Sequence, residues 1–244
     1  MINNKIQLSN YIYCDELFNT VTIDNPLLAN QYKDFPYLII KDFFSQELCQ
    51  EIVDSSKQID DEDIDIAEVK VNINNGIVIP KVNKSFRKTN ILEWNDEFND
   101  IYKKQFLYFQ PQIENYFNTP ITYSTEVQML QYKKDFFYIK HADDSSEIID
   151  QNKNTIGFIN VAPRRKLTTV LFTTTCDDEI SSDYHFSGGE LVFNYLYDKE
   201  NNQIKFQPKA GDMIVFPSNP YFSHEVLKVK SGYRLSLVQW HDTI

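Results

Sequence analysis

The chain has few cysteines, few glycines, no long apolar run and a deficit of positive charge, and each shortage narrows what it can be. Its cysteines, Cys14, Cys49 and Cys176, are odd in number, far apart and without a Cys-x-x-Cys pair. That pattern speaks for reduced thiols in a cytoplasmic protein rather than for a disulfide framework. No stretch approaches the roughly 18 consecutive apolar residues of a membrane span. Residues 1–20 contain no continuous apolar core suited to a signal peptide. A soluble, cytoplasmic protein without a membrane partner is expected. Lysine and arginine number 24 against 35 acids, a net charge of −11, which argues against a broad basic surface for nucleic acid. Among only 6 glycines, the adjacent pair Gly188-Gly189 precedes no helical pattern. It reads as a tight strand entry and not a phosphate cradle.

What is present suffices for a large core: 42% hydrophobic residues and 14% aromatics over 244 positions. A chain of this size buries roughly 70% or more of its unfolded surface, and a single unit over residues 1–244 is expected. "FPYLIIKDFFSQELCQEIVDSSKQI" (35–59) reads as strand, turn and helix, with Ser45 as N-cap and Glu47 and Glu51 near the positive end of the dipole. The acidic run 60–68 reads as a solvated loop. "VKVNINNGIVIPKV" (69–82) alternates around Asn75-Gly76, a hairpin signal. From Trp94 to Phe117 apolar residues recur every three or four positions, predicting an amphipathic helix kinked or divided near Pro111. Beyond residue 120, eight short β-branched and aromatic segments alternate with turn residues, implying a sandwich or barrel. The expected fold is α+β and mainly β. A helix-rich part over 1–119 packs on a jelly-roll core, a double-stranded β-helix, over 120–244.

In "YIKHADDSSE", His141 and Asp143 stand two positions apart after a strand-like run. With 4 histidines and 35 acids in the chain, chance supplies about 0.6 such triplets, so the pair needs company. His224, in "NPYFSHEVLKV", supplies it. Strand residues i and i+2 share a face, so His141 and Asp143 can grip one ion, and His224 can converge on it across a jelly-roll mouth. Two imidazoles and one carboxylate on one face of an octahedral ion leave three adjacent positions open, the arrangement of non-haem Fe(II) oxygenases. Zinc more often wants a closing ligand or a hydrolytic water. Arg234 follows across an expected Lys230-Ser231-Gly232 turn and shares a strand face with Ser236, Val238 and Trp240. Its planar fork suits a carboxylate, such as the distal one of a keto acid chelating the metal.

The segments "FPYLIIKDFFSQELCQEI", "VQMLQYKKDFFYIKHAD", "RRKLTTVLF", "FSGGELVF", "PKAGDMIVFPS" and "SHEVLKVKSGYRLSLVQW" stand in order over most of residues 35–240. Together they resemble the prolyl 4-hydroxylase-like branch of the Fe(II)/2-oxoglutarate-dependent oxygenases. The resemblance implies that His141, Asp143 and His224 bind Fe(II) and that Arg234 holds the distal carboxylate of 2-oxoglutarate. It implies that Tyr132 reaches the cosubstrate and that Trp240 lines the pocket floor. "KSFRKTNILEW" (84–94) lies where relatives place a substrate-facing loop, which makes Arg87 a substrate anchor. Some relatives set a tyrosine beside the arginine; here Phe172 cannot donate, and the role passes to Thr168 or Ser236. The implied reaction consumes O2 and 2-oxoglutarate, releases succinate and CO2, and hydroxylates a substrate, with ascorbate admissible as a reductant. Halogenating relatives lack the carboxylate, so Asp143 favours hydroxylation. The Asn- and acid-rich stretch 144–162 reads as a lid or as a solvated excursion.

Plainer readings stand beside these. His141 and Asp143 would serve as a surface ion pair, His224 as a core histidine bonded to a carbonyl, Arg234 as the partner of Glu225, and Trp240 as core. His185 reads as a surface residue and His241 carries no signal. The substrate is a peptidyl residue, proline foremost, or alternatively a free amino acid or other small metabolite. Nucleic-acid demethylation is disfavoured, because that branch has a second arginine where this chain has Trp240. A catalytically silent binding module is the rival from another class. A cupin-type site is disfavoured because Asp143 stands where cupins carry a second histidine.

Overall fold

A computed structural model describes residues 5–16, 33–60, 64–67, 69–72, 78–81, 83, 85–152 and 154–244. Two helices form where caps and apolar spacing agree. Helix α1, Gln46–Ser56, begins at Ser45, whose hydroxyl accepts the Leu48 N–H at 3.2 Å. Helix α2, Asp96–Phe117, begins at Asn95, which accepts the Glu97 N–H at 2.7 Å, and stops at Asn118, a left-handed residue at φ 53°. Tyr102, Phe106, Ile113 and Phe117 form its buried stripe. The helix is continuous through Pro111, so it is not divided there. Leu107, whose carbonyl loses its helical partner, is exposed, so that group is not forced into a dry core.

The strands build two facing antiparallel sheets, the jelly roll expected from the sequence. The larger runs Leu38–Ile40, Met213–Pro217, Leu167–Phe172, Arg234–Thr243, Gln128–Tyr132, Asn90–Leu92 and Ile64–Ile66, with Ile121–Ser124 joined to Arg234–Thr243. The smaller runs Lys5–Gln7, Tyr13–Asp15, Leu191–Tyr197, His224–Val226, Phe137–His141 and Arg87–Lys88, with Gln203–Phe206 joined to Leu191–Tyr197. Period-two alternation sorts the side chains of the large sheet. Leu167, Leu171, Met213, Val215, Leu235 and Leu237 pack with the helices in one core. Val170, Phe172, Ile214, Phe216, Val238 and Trp240 face the other sheet in a second.

Four details differ from the sequence reading. The part before residue 120 contributes strands to both sheets as well as helices. The acidic run is not all loop: Ile64–Ile66 pairs with Asn90–Leu92, because its isoleucines suit an edge strand even with Asp65 turned to solvent. The segment Val229–Gly232 is a strand paired with His185–Gly188 rather than a turn, and Gly232 takes the bend at φ 82°. Residues 144–162, read as a lid or a solvated excursion, are not irregular but carry a hairpin, Ser145–Ile149 with Thr155–Asn160. A second hairpin pairs Val69–Asn72 with Val78–Lys81, as expected; its Asn75-Gly76 turn lies outside the described residues. No helix among the described residues is long and apolar enough to cross a membrane.

Candidate metal centre

His141 and His224 are register partners on adjacent antiparallel strands, so their imidazoles meet with ring centroids 4.3 Å apart. Asp143, just past the end of the first strand, turns its carboxylate to both. His141 Nε2 lies 3.8 Å from Asp143 Oδ1, and His224 Nε2 lies 4.0 Å from Asp143 Oδ2. One donor atom from each residue falls within 4.8 Å of the others. The tautomers are fixed from behind. His141 Nδ1 is 2.9 Å from the Ile139 carbonyl and His224 Nδ1 is 3.0 Å from that of Phe222. Each Nδ1 therefore donates, and each Nε2 keeps a lone pair for a metal.

Electrostatics favour the ligating states. Burial, reinforced by His224, pushes His141 down to about 3, so the ring is neutral. Burial alone raises the Asp143 carboxyl, but His224, His141, the Thr168 hydroxyl and Arg165 outweigh it and hold the group below its usual range. Two imidazoles whose Nδ1 atoms face backbone carbonyls and one carboxylate, clustered at one side of an open cavity, fit a divalent ion with free positions.

That cavity, of about 820 Å³, runs from the triad to Arg234 on one side and to the hairpin Ser145–Asn160 on the other. Arg234 is 1% exposed. It donates from Nε to the Gly189 carbonyl at 2.9 Å and from Nη1 to Ser236 Oγ at 3.1 Å. No carboxylate among the described residues pairs with it. Glu225, the alternative partner, instead accepts from Asn194 at 2.7 Å. A buried guanidinium with donors to spare facing a cavity is costly unless an anion fills it, and a keto diacid on the metal fits that demand. The pocket around it is aromatic, with the Tyr132 ring 4.6 Å and the Phe172 ring 5.3 Å from the guanidinium carbon.

The remaining expected residues all line this cavity, with one change of partner. Ser236 takes the place beside Arg234. Thr168 does not; its hydroxyl is bonded to Asp143 Oδ2 at 2.7 Å and to Ser218 Oγ at 2.8 Å, so the expectation that it serves the cosubstrate is corrected. The cause is position along a shared strand face: Thr168 stands opposite Trp240 in the ladder, and Phe172, four residues on, stands opposite Ser236. Trp240 is 8% exposed, and its Nε1–H is buried without a partner among the described residues. Arg87, 8% exposed, lies over the Tyr138 ring at 4.6 Å.

Four contributors were not legible. Tyr138 stacks on the His141 imidazole at 3.5 Å. The Arg165 guanidinium covers Trp240 at 3.7 Å and donates to the Asp143 carbonyl at 3.3 Å. Ser218 backs Thr168, and Gly189 approaches Arg234. Tyr138, three residues before His141 in an aromatic run, and Gly189, in the Gly188-Gly189 pair, carried a signal in the chain, though not for these contacts. His241, which also carried none, is a core residue between Ser124 and Thr169, stacked on Phe106 at 4.7 Å.

The model of the 2OG-Fe(II) oxygenase superfamily matches residues 127–242, a span that holds the triad and Arg234. No curated protein matches the sequence. Among solved structures the chain is similar to a prolyl-4-hydroxylase from Pseudomonas putida, at 18% identity and TM-score 0.52 over 84% of this chain and 91% of that one. It is similar to the viral collagen prolyl hydroxylase vCPH from Paramecium Bursaria Chlorella virus-1 in its 2OG complex, at 18% and 0.51 over 85% and 96%. A third is a Trichoplax adhaerens prolyl hydroxylase in complex with a hypoxia inducible factor oxygen degradation domain peptide fragment, at 19% and 0.54 over 84% and 83%. At these identities the structural likeness is one of fold.

Proposed function

We propose that this chain, whose residues 127–242 match the model of the 2OG-Fe(II) oxygenase superfamily, is a 2-oxoglutarate-dependent dioxygenase and that it hydroxylates a residue within a peptide, proline foremost. The observation that carries the peptide reading is the shape of the site. Besides the metal ligands, the cavity is lined by Asp65, Ile66 and Phe86 and by the hairpin residues Glu147, Ile149 and Phe158. Ile66, Phe86 and Ile149 are all exposed. An apolar rim of this extent suits chain on both sides of a target residue better than a free amino acid. The likeness to a prolyl hydroxylase holding a peptide fragment supports the same reading. Cytoplasmic placement belongs to it as well, resting on Cys14, Cys49 and Cys176 as free thiols.

In this reading His141, Asp143 and His224 hold Fe(II), which with 2-oxoglutarate and O2 supplies the oxidising chemistry. The protein's own work is positioning. Arg234, steadied by Gly189 and Ser236, fixes the far carboxylate of the cosubstrate. Val170, Leu191 and Val226 line the barrel interior and keep water from the reacting centre. Tyr138 and Trp240 wall the side toward the substrate, and Arg87 and Arg165 orient its polar groups. The test is succinate formation with Fe(II), 2-oxoglutarate and a library of proline-containing peptides, beside free proline and other amino acids. Peptide-stimulated turnover lost in Asp143→Ala is expected. Stimulation by free amino acids alone would overturn the peptide reading.

A further inference from the structure

We propose that Ser218 and Thr168 are a positioning pair that sets the Asp143 carboxylate for ligation through one oxygen, an inference that rests on the metal centre described above. The two histidines are held by strand pairing. Asp143 is not, because it lies beyond Phe137–His141, where no ladder partner fixes it. Ser218 takes over that task. Its carbonyl accepts the N–H groups of both Asp143 and Asp144 at 3.2 Å, while its own N–H donates to the Lys166 carbonyl at 2.9 Å. The side chain is fixed by the hydroxyls: Thr168 Oγ1 stands 2.7 Å from Asp143 Oδ2, and Ser218 Oγ stands 2.8 Å from Thr168 Oγ1.

The direction of this chain follows from counting hydrogens. An ionised carboxylate only accepts, and threonine has one hydroxyl hydrogen. Thr168 therefore donates to Asp143, and Ser218 donates to Thr168. Both dipoles point at the carboxylate and reinforce each other. Thr168 and Ser218 are each 1% exposed, so water does not compete for these bonds. With Oδ2 engaged, Oδ1 is the oxygen left for a metal, and Asp143 would then take one coordination position instead of two. A carboxylate free to swing would bind through both oxygens and take a position that the cosubstrate and O2 require.

The experiment is anaerobic titration of the full chain with Co(II) alone, following affinity and the visible ligand-field band, which reports coordination number. Outer partners of metal ligands are typically worth about ten- to a hundredfold in affinity. Thr168→Val is expected to weaken binding by that order and to change the band, Ser218→Ala to do so less, and Thr168→Ser to restore both. Wild-type affinity and an unaltered band in Thr168→Val and Ser218→Ala would overturn the proposal. If Thr168→Val does not fold without metal, Ser218→Ala decides alone, since among the described residues its lost hydroxyl bonds only Thr168. A wild-type chain that binds no Co(II) would overturn the metal centre itself, a different result from intact binding insensitive to the pair.

Discussion

At the scale of residues, the site depends on forks and close approaches that near-isosteres cannot copy. Lysine in place of Arg234 keeps the charge and loses the planar donor set. A charge-assisted hydrogen bond contributes about 1.5–3 kcal/mol, so Arg234→Lys should raise the KM for 2-oxoglutarate about ten- to a hundredfold, measured by steady-state succinate release. Gly189 is a second such position. It sits at φ 64°, and a Cβ there would stand 2.8 Å from Val229 Cγ2 and 3.1 Å from Arg234 Cδ. Gly189→Ala is therefore expected to displace the guanidinium and weaken cosubstrate binding while His141, Asp143 and His224 still take Co(II). Equal affinity for 2-oxoglutarate in mutant and wild type would remove Gly189 from the account. Beside Phe172, whose ring cannot donate, its ladder partner Ser236 sets a hydroxyl 3.1 Å from Arg234 Nη1.

Elements carry the next level of argument. Helix α2 supports the back of the large sheet through Tyr102, Phe106, Ile113 and Phe117. Removing a buried phenyl ring costs about 3–5 kcal/mol, so Phe106→Ala should lower the urea midpoint by a corresponding amount. The hairpin Ser145–Asn160 is held differently. Its base is pinned where the Asp144 carbonyl accepts Val161 N–H at 2.8 Å and Ala162 N–H at 2.9 Å. Further out, Glu147 accepts from Lys140 at 2.7 Å and from Thr155, and Lys140 also donates to the Tyr195 hydroxyl at 2.8 Å. The ion pair is partly exposed, with side chains 33% and 23% accessible, and such pairs contribute at most about 1 kcal/mol. Glu147→Gln is thus expected to leave global stability within about 1 kcal/mol while raising amide exchange across residues 145–160. A large fall in the unfolding midpoint would mean that the hairpin belongs to the core and not to the cavity rim.

For the whole molecule, acid sensitivity has an identifiable source outside the metal site. Burial pushes His241 down to about 3, against about 6.5 in the unfolded chain. Between these values the unfolded chain binds the extra proton, so stability rises with pH and is lost as pH falls from about 6.5 towards 3. The slope from this group is at most about 1.4 kcal/mol per pH unit. His241→Gln can keep the bonds to Ser124 and Thr169 without titrating. Its unfolding midpoint should therefore fall less between pH 6.5 and 5 than that of the wild type. Parallel curves would assign the acid sensitivity elsewhere.

Much of this protein was legible along the chain because the relevant physics is local or periodic. Alternating β-branched and aromatic segments separated by turn residues specified a two-faced sheet, and Ser45 and the Tyr102–Phe117 spacing specified the helices. His141, Asp143, His224 and Arg234 stood out because metal and carboxylate chemistry restricts which residue types can serve. The rest needed the third dimension. Ser218 lies 75 positions from Asp143 in the chain, and nothing in its surroundings marks a serine that clamps a carboxylate. Thr168 could be set beside the arginine from the chain alone, until the ladder placed it opposite Trp240. The acidic run hid an edge strand because pairing with Asn90–Leu92 outweighs the local preference of aspartate for loops. Sequence determined which chemistry the chain can perform, since that depends on residue identity. Tertiary structure decided which hydroxyl holds which oxygen, since hydrogen bonds depend on angstrom distances that only the strand register sets.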